Sequence, residues 1–233
     1  HPEALAYAMQ VVHTAVYKWG YPFLKLDFLY AAALPGTYRD PTRTRAQVLR
    51  SGLQTLRKAA GDKAFLLGCG CPLGSAIGLV DGMRISSDVS EQWEPSFSGI
   101  HTFFRHEPDF PSARNATHNS LTRAFMHQRW WLNDPDVLLP DPDLPLSEAE
   151  FETLATVTAL TGGLLLVSGQ LSKIPAHRVK QWSALLPLIN QRPRLVDWMD
   201  AQTPTRLRID LQNGSGPWHL LAYFNWDDKP ETI

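Results

Sequence analysis

"YPFLKLDF", Tyr21–Phe28, is a short apolar run that carries a lysine and an aspartate two residues apart. Its length and bulky side chains, just after Gly20, predict a β-strand buried in a core. Positions two apart on a strand share a face, so Lys25 and Asp27 project to the same side. A buried charge is costly unless it is paired or used. The run therefore predicts either an internal ion pair or a functional site at the end of a strand.

The flanks extend this pattern. Before the strand, Leu5, Met9, Val12 and Val16 form one apolar helical face within residues 2–18, and Gly20 is a natural stop. After it come the turn-rich loop "LPGTYRDPTRT", the helix "RAQVLRSGLQTLRKAAG" ending at Gly61, and the strand "KAFLLGCG". A glycine-punctuated stretch, "CPLGSAIGLVDG", leads to a third short strand, "MRIS", at 83–86. Residues 89–115 are long and irregular, with Pro95, Pro108 and Pro111, as functional loops often are. The helix "ATHNSLTRAFMHQ", the strand "RWWLN", the helix "LSEAEFETLATVTALTGG", the strand "LLLVSG" and the helix "AHRVKQWSALLPLIN" follow. Ser147 with Glu150 three residues on predicts a capping box at the start of the second of these helices.

Short, continuous, apolar strands separated by helices suit a parallel sheet buried on both faces, with right-handed crossovers. Five such units fit a doubly wound sheet or part of a barrel, and periodicity does not separate the two. After Pro193 the pattern changes. "TRLRIDLQ" and "WHLLAYFNW" flank "NGSG", which predicts a hairpin opening an antiparallel β domain.

Composition excludes several classes. The 233 residues carry 22 basic and 23 acidic side chains, a net charge of -1, which argues against nucleic acid as a partner. No run of about 18 apolar residues is present to span a membrane. The N-terminal residues lack the basic and apolar blocks of a signal peptide. The chain opens inside a helix without an initiator methionine and closes just after a strand-like run, so a piece of a longer protein is expected. The two cysteines, Cys69 and Cys71, make no disulfide framework, which favours a cytoplasmic location. His101 and His106 lack matching ligands, so no zinc site is expected. The N-x-[ST] triplets at Asn115 and Asn213 carry little weight alone. There is no G-x-G-x-x-G fingerprint and no phosphate loop.

In parallel α/β proteins, ligands bind beyond the C-terminal ends of the strands. The polar residues there are Lys25 and Asp27, Cys69 and Cys71, Asp88, Asn133 with Asp134 and Asp136, and Ser168 with Gln170. Asp27 and Asp88 stand out. Lys25 favours an ionised Asp27, as a nucleophile requires, and Arg84 precedes Asp88 by four. Two carboxyls facing one centre are the minimum equipment for glycoside hydrolysis. Plainer explanations exist for each. Lys25 and Asp27 suit a rim ion pair, Asp88 an N-cap before "VSEQW", and Asp134 and Asp136 a turn around Pro135. The cysteines suit packing, while Trp19, Tyr30, Trp93 and Trp131 suit either the core or stacking on a sugar.

Taken in order, "LKLDF", "CGCPLG", "MRISSDV", "LNDPD" and "LLLVSGQLS" resemble the second half of the catalytic barrel of retaining α-galactosidases. The resemblance is to the melibiases of glycoside hydrolase family 36, relatives of family 27, over about residues 1–195. It implies the second half of a (β/α)8 TIM barrel at 1–195, followed by the start of a C-terminal antiparallel β domain at 196–233. It implies Asp27 as nucleophile, Lys25 as a sugar contact, Asp88 as acid/base and Arg84, the arginine four before it, as a substrate-binding residue. Cys71 and Gly74 best fit the pocket-lining C-x-x-G segment, with Cys69 as the register alternative. Two departures concern the sugar and the subfamily. "KLDFLY" stands where the family has K-W-D with asparagine and arginine, and "GSAIG" replaces its run of glycines.

The implied reaction is double displacement on α-galactoside oligosaccharides or glycoconjugates, with no metal or organic cofactor. Asp27 attacks the anomeric carbon while Asp88 gives its proton to the leaving oxygen, and water then enters with Asp88 as base. The family's first three barrel strands are absent, so the isolated piece is expected to be inactive. The alternatives are α-N-acetylgalactosaminidase, β-L-arabinopyranosidase or galactosyl transferase activity, or a non-catalytic carbohydrate-binding barrel. A homo-oligomer is left open.

Overall fold

The computed structural model describes residues 1–96, 107–200, 202–227 and 229. His101 and His106 lie outside them. Contacts divide the chain into two compact units, His1–Arg84 and Ile85–Ile233.

The first unit opens with α1, Pro2–His13, which continues as a π turn over Thr14–Lys18. Val12 and Val16 are buried, whereas Leu5 is exposed. The strands β1 (Phe23–Leu26), β2 (Phe65–Gly68) and β3 (Gly82–Arg84) run parallel, with α2 (Arg45–Ala60) between the first two. A reciprocal capping box of Thr44 and Gln47 starts α2 and satisfies two amides that a helix start leaves open. Gly61, at φ +61°, ends it. The glycine-punctuated stretch forms only a one-turn helix, α3, Leu73–Ala76.

Register fixes what shares a rim. Phe23 pairs with Phe65 and Leu26 with Gly68, so Asp27 and Cys69 leave the sheet side by side. The expectation that both faces of the first strand are buried needs correcting. Phe23, Lys25 and Asp27 alternate on an exposed face, while Leu24 and Leu26 turn inward. Lys25 and Asp27 are therefore exposed, with only partial burial acting on the Asp27 carboxyl.

The second unit holds, in chain order, α4 (Ala113–Thr122), β4 (Leu132–Asp134), β5 (Val137–Leu138), α5 (Glu148–Thr161) and β6 (Leu166–Val167), with β5 and β6 parallel. The predicted capping box of Ser147 and Glu150 is present at α5. That helix is apolar around most of its circumference because it is buried on two sides. Phe151, Leu154 and Ala155 join a cluster with Ala113, Leu138 and Leu146. Val157 and Leu160 join Leu121 and the sheet residues Leu207, Ile209 and Phe224.

The helix α6, Ala176–Ser183, is shorter than its apolar pattern predicts. Pro187 lacks an amide, and its ring would clash with the carbonyl four residues back. The predicted hairpin is present as β8 (Arg206–Asn213) and β9 (Gly216–Tyr223), joined at Gly214–Ser215. A short antiparallel strand, β7, Arg194–Leu195, adds to its edge. No helix among the described residues is long and apolar enough to cross a membrane.

Candidate active site

Asp27 is the first residue past β1, and the backbone around it is tightly determined. The Cys69 amide donates to Leu26 O at 2.8 Å, Leu29 N donates to Cys69 O at 3.3 Å, and Tyr30 N donates to Gly70 O. These bonds continue the sheet past its last paired residue and bracket Asp27. They require Phe28 to turn left-handed, at φ 53°, which is unusual for a residue with a side chain. The turn aims the Phe28 amide back at Asp27 Oδ1, 2.7 Å away. Gly70 is also left-handed, at φ +53°, and a Cβ there would meet Phe28 and Tyr30 at 3.4 Å.

The surroundings hold the Asp27 carboxyl below its ordinary value of 3.8. The largest cause is a hydrogen bond from the Cys69 thiol, followed among the favourable ones by the Phe28 amide and the charges of Lys25 and Arg84, with partial burial opposing them. Burial, and then Asp27 itself, push the Cys69 thiol up to about 11, so it stays protonated and can donate. Cys71 is also raised, to about 11, by burial. It donates to Pro72 O at 3.6 Å. Gly74 sits exposed in α3, with open space where a side chain would be. Arg84 is buried at the end of β3, and its charge bears on both Asp27 and Cys69.

A cavity of about 640 Å³ also lies in this unit, lined by residues of α1 and α2 such as Leu5, Leu49 and Leu53. None of the candidate site residues lines it.

Asp88 belongs to the second unit and is exposed. The N-cap explanation falls, because residues 89–96 form no helix. The next helix among the described residues is α4, capped by Ser112. Instead, Asp88 lies on an irregular segment fastened along its length. The Ile85 amide donates to Asp134 O at 3.0 Å, and the Arg123 guanidinium donates to Ile85 O. The amides of Ser112, Ala113 and Arg114 donate to the carbonyls of Asp88, Gln92 and Trp93 at 3.0–3.1 Å. Unpaired amides at the start of a helix thus find partners in this segment. Asp134 and Asp136, expected as turn residues, do form a turn, with the Asp136 amide on Asp134 Oδ1 at 2.9 Å. Asp136 also reaches beyond it, accepting from the Val89 amide at 2.8 Å.

Of the rim aromatics, Trp131 is buried and Trp93 packs against the α4–α5 cluster, whereas Trp19 and Tyr30 are exposed. Among the described residues, no group of three His, Cys, Asp or Glu side chains is placed to hold a metal ion. Chemically, the first unit offers an accessible carboxylate kept ionised, and the second offers an accessible carboxyl on a rigid segment. Cys69, Phe28 and Asp136 carry roles that side-chain type alone conceals. The signal for Cys69 was the matched position just past two neighbouring parallel strands.

No family model matches the chain. Among solved structures, an α-galactosidase from Thermus thermophilus is 30% identical over 90% of this chain, with a TM-score of 0.69. α-Galactosidase I from Mortierella vinacea is 14% identical over 91% of the chain, with a TM-score of 0.59. A GH27 β-L-arabinopyranosidase from Geobacillus stearothermophilus is 15% identical over 94%, with a TM-score of 0.60. The chain spans 40%, 54% and 49% of these proteins' respective lengths. The chain is thus similar to part of these enzymes, and its fold is part of a (β/α)8 barrel followed by an antiparallel sheet.

Proposed function

We propose that the full-length protein is a retaining α-galactosidase, with Asp27 as nucleophile and Asp88 as acid/base. Residues 1–195 would belong to its barrel and residues 196–233 would open its β domain. The observation that carries the reading is the ionised, accessible Asp27 at a strand end, in a chain 30% identical to an α-galactosidase. Asp27 attacks the anomeric carbon, and Asp88 protonates the departing oxygen. Asp88 then takes a proton from the incoming water, and the sugar leaves with its configuration retained. Lys25 and Arg84 bind sugar hydroxyls, with Cys71 and Gly74 lining the pocket. The Thermus enzyme has been seen with p-nitrophenyl α-D-galactopyranoside and with stachyose, which supports α-galactosides as the substrate class.

Hydrolysis of aryl α-D-galactoside and β-L-arabinopyranoside by the full-length protein, followed by proton NMR, tests this. The expected result is preferential release of α-galactose as the first product. Preference for the arabinoside would favour the second specificity, which the Geobacillus neighbour makes worth testing. Release of β-galactose would contradict retention, and sugar binding without turnover would favour a non-catalytic barrel.

The electrostatics add a pH prediction. Because the folded protein depresses the pKa of Asp27, its carboxylate persists below the ordinary value of 3.8. Its contribution to stability is complete above that value and is lost as pH falls through the depressed one. Cys69→Ala removes the largest depressing influence, so the acidic limb of kcat/KM should move upward, with Cys69→Ser restoring part of the shift. An unmoved limb in Cys69→Ala would show that the thiol does not act on the nucleophile.

A further inference from the structure

We infer that Asp136 is a positioning residue for Asp88, clamping the peptide unit that carries it. This deepens the proposed function and rests on Asp88 being the acid/base. The peptide between Asp88 and Val89 is held at both ends. Its N–H, from Val89, donates to Asp136 Oδ2 at 2.8 Å. Its carbonyl, from Asp88, accepts from the Ser112 amide at 3.1 Å. Holding both ends of the unit fixes the Asp88 Cα, the point from which its side chain leaves the backbone.

The clamp is itself rigid. Asp136 is buried, and its own amide is tied to Asp134 Oδ1. Its backbone is left-handed, at φ 80°, which aspartate tolerates better than most residues. Pro135 fixes the preceding turn and lies so close to Gly162 that a Cβ there would meet the ring at 2.8–2.9 Å. A side chain so confined, ending on the amide next to Asp88, sets position without touching substrate. A general acid acts only within hydrogen-bond reach of the leaving oxygen, so a small displacement is felt strongly.

The test is leaving-group dependence in the full-length protein. Asp136→Gly removes the carboxylate and suits the positive φ. Its kcat/KM should fall about 10²-fold for phenyl α-galactoside, whose poor leaving group needs a proton. For 2,4-dinitrophenyl α-galactoside, which leaves unaided, the loss should stay within about threefold, because acid assistance matters little there. Asp136→Asn keeps an acceptor oxygen and should restore most of the phenyl activity. Both substrates are read on one preparation, so partial unfolding cancels in the ratio. If Asp136→Gly does not fold, Asp136→Ser, too short to reach Val89, is read the same way. Equal losses on the two substrates, or none, while Asp88→Ala remains selective, would overturn the positioning role alone. An Asp88→Ala variant without selectivity would overturn the acid/base assignment and this inference with it.

Discussion

Replacing Asp27 by alanine is expected to lower kcat/KM for p-nitrophenyl α-galactoside by ~10⁴-fold or more in the full-length protein, the scale seen when a covalent nucleophile is removed. The argument is local. Asp27 is exposed at the end of β1, and its low pKa comes from donors and cations already in place around it. A carboxylate held ionised this way is available to attack, and truncation to alanine removes it. Folding should survive. The bonds that bracket Asp27 run between backbone atoms of Leu26, Leu29, Tyr30, Cys69 and Gly70, and these remain. What is lost is an acceptor for one amide and one thiol at an exposed site, costing on the order of 1 kcal/mol. A thermal melt within a few degrees of wild type, with activity gone, is the predicted pair of results. A variant retaining a tenth of wild-type kcat/KM would remove Asp27 from the chemistry.

The second large effect belongs to Asp88. Asp88→Ala should cost about 10²–10⁴-fold in kcat/KM on phenyl α-galactoside, the usual worth of a positioned general acid, and little on the dinitrophenyl substrate. Its segment is fixed by backbone bonds to α4 and by Asp136, so truncating an exposed side chain leaves the frame intact. On the activated substrate the first step still proceeds, but the base that should activate water is missing. The glycosyl-enzyme should therefore accumulate, giving a burst of nitrophenolate followed by a slow steady rate. Equal losses on both substrates and no burst would contradict the role.

Much of this arrangement was legible in the sequence because it rests on local physics. The strand just before Asp27 follows from its apolar run, and the start of α5 from a serine and a glutamate three apart. The hairpin of β8 and β9 follows from "NGSG" between two apolar stretches. What was not legible depends on partners distant in the chain. The two-residue strands β5 and β7 exist only through pairing with β6 and β8. β1 looks buried on both faces in sequence because its run is apolar, yet Phe23 lies on an exposed face, stacked on Phe65 with centroids 5.2 Å apart. Asp88 looks like a helix cap because the donors that stabilise its segment come from α4, more than twenty residues on. Asp136 reads as a turn residue because its second bond crosses to Val89, forty-seven positions away.

Azide rescue compared between the two alanine variants tests the division of labour most directly. In Asp27→Ala, azide should take the place of the missing carboxylate, attack the α-galactoside itself and yield β-galactosyl azide. In Asp88→Ala, azide should intercept the glycosyl-enzyme formed on Asp27 from the other face and yield α-galactosyl azide. Opposite anomers from the two variants are the predicted result. The same anomer from both, or rescue of neither, would contradict the assignment of Asp27 as nucleophile and Asp88 as acid/base.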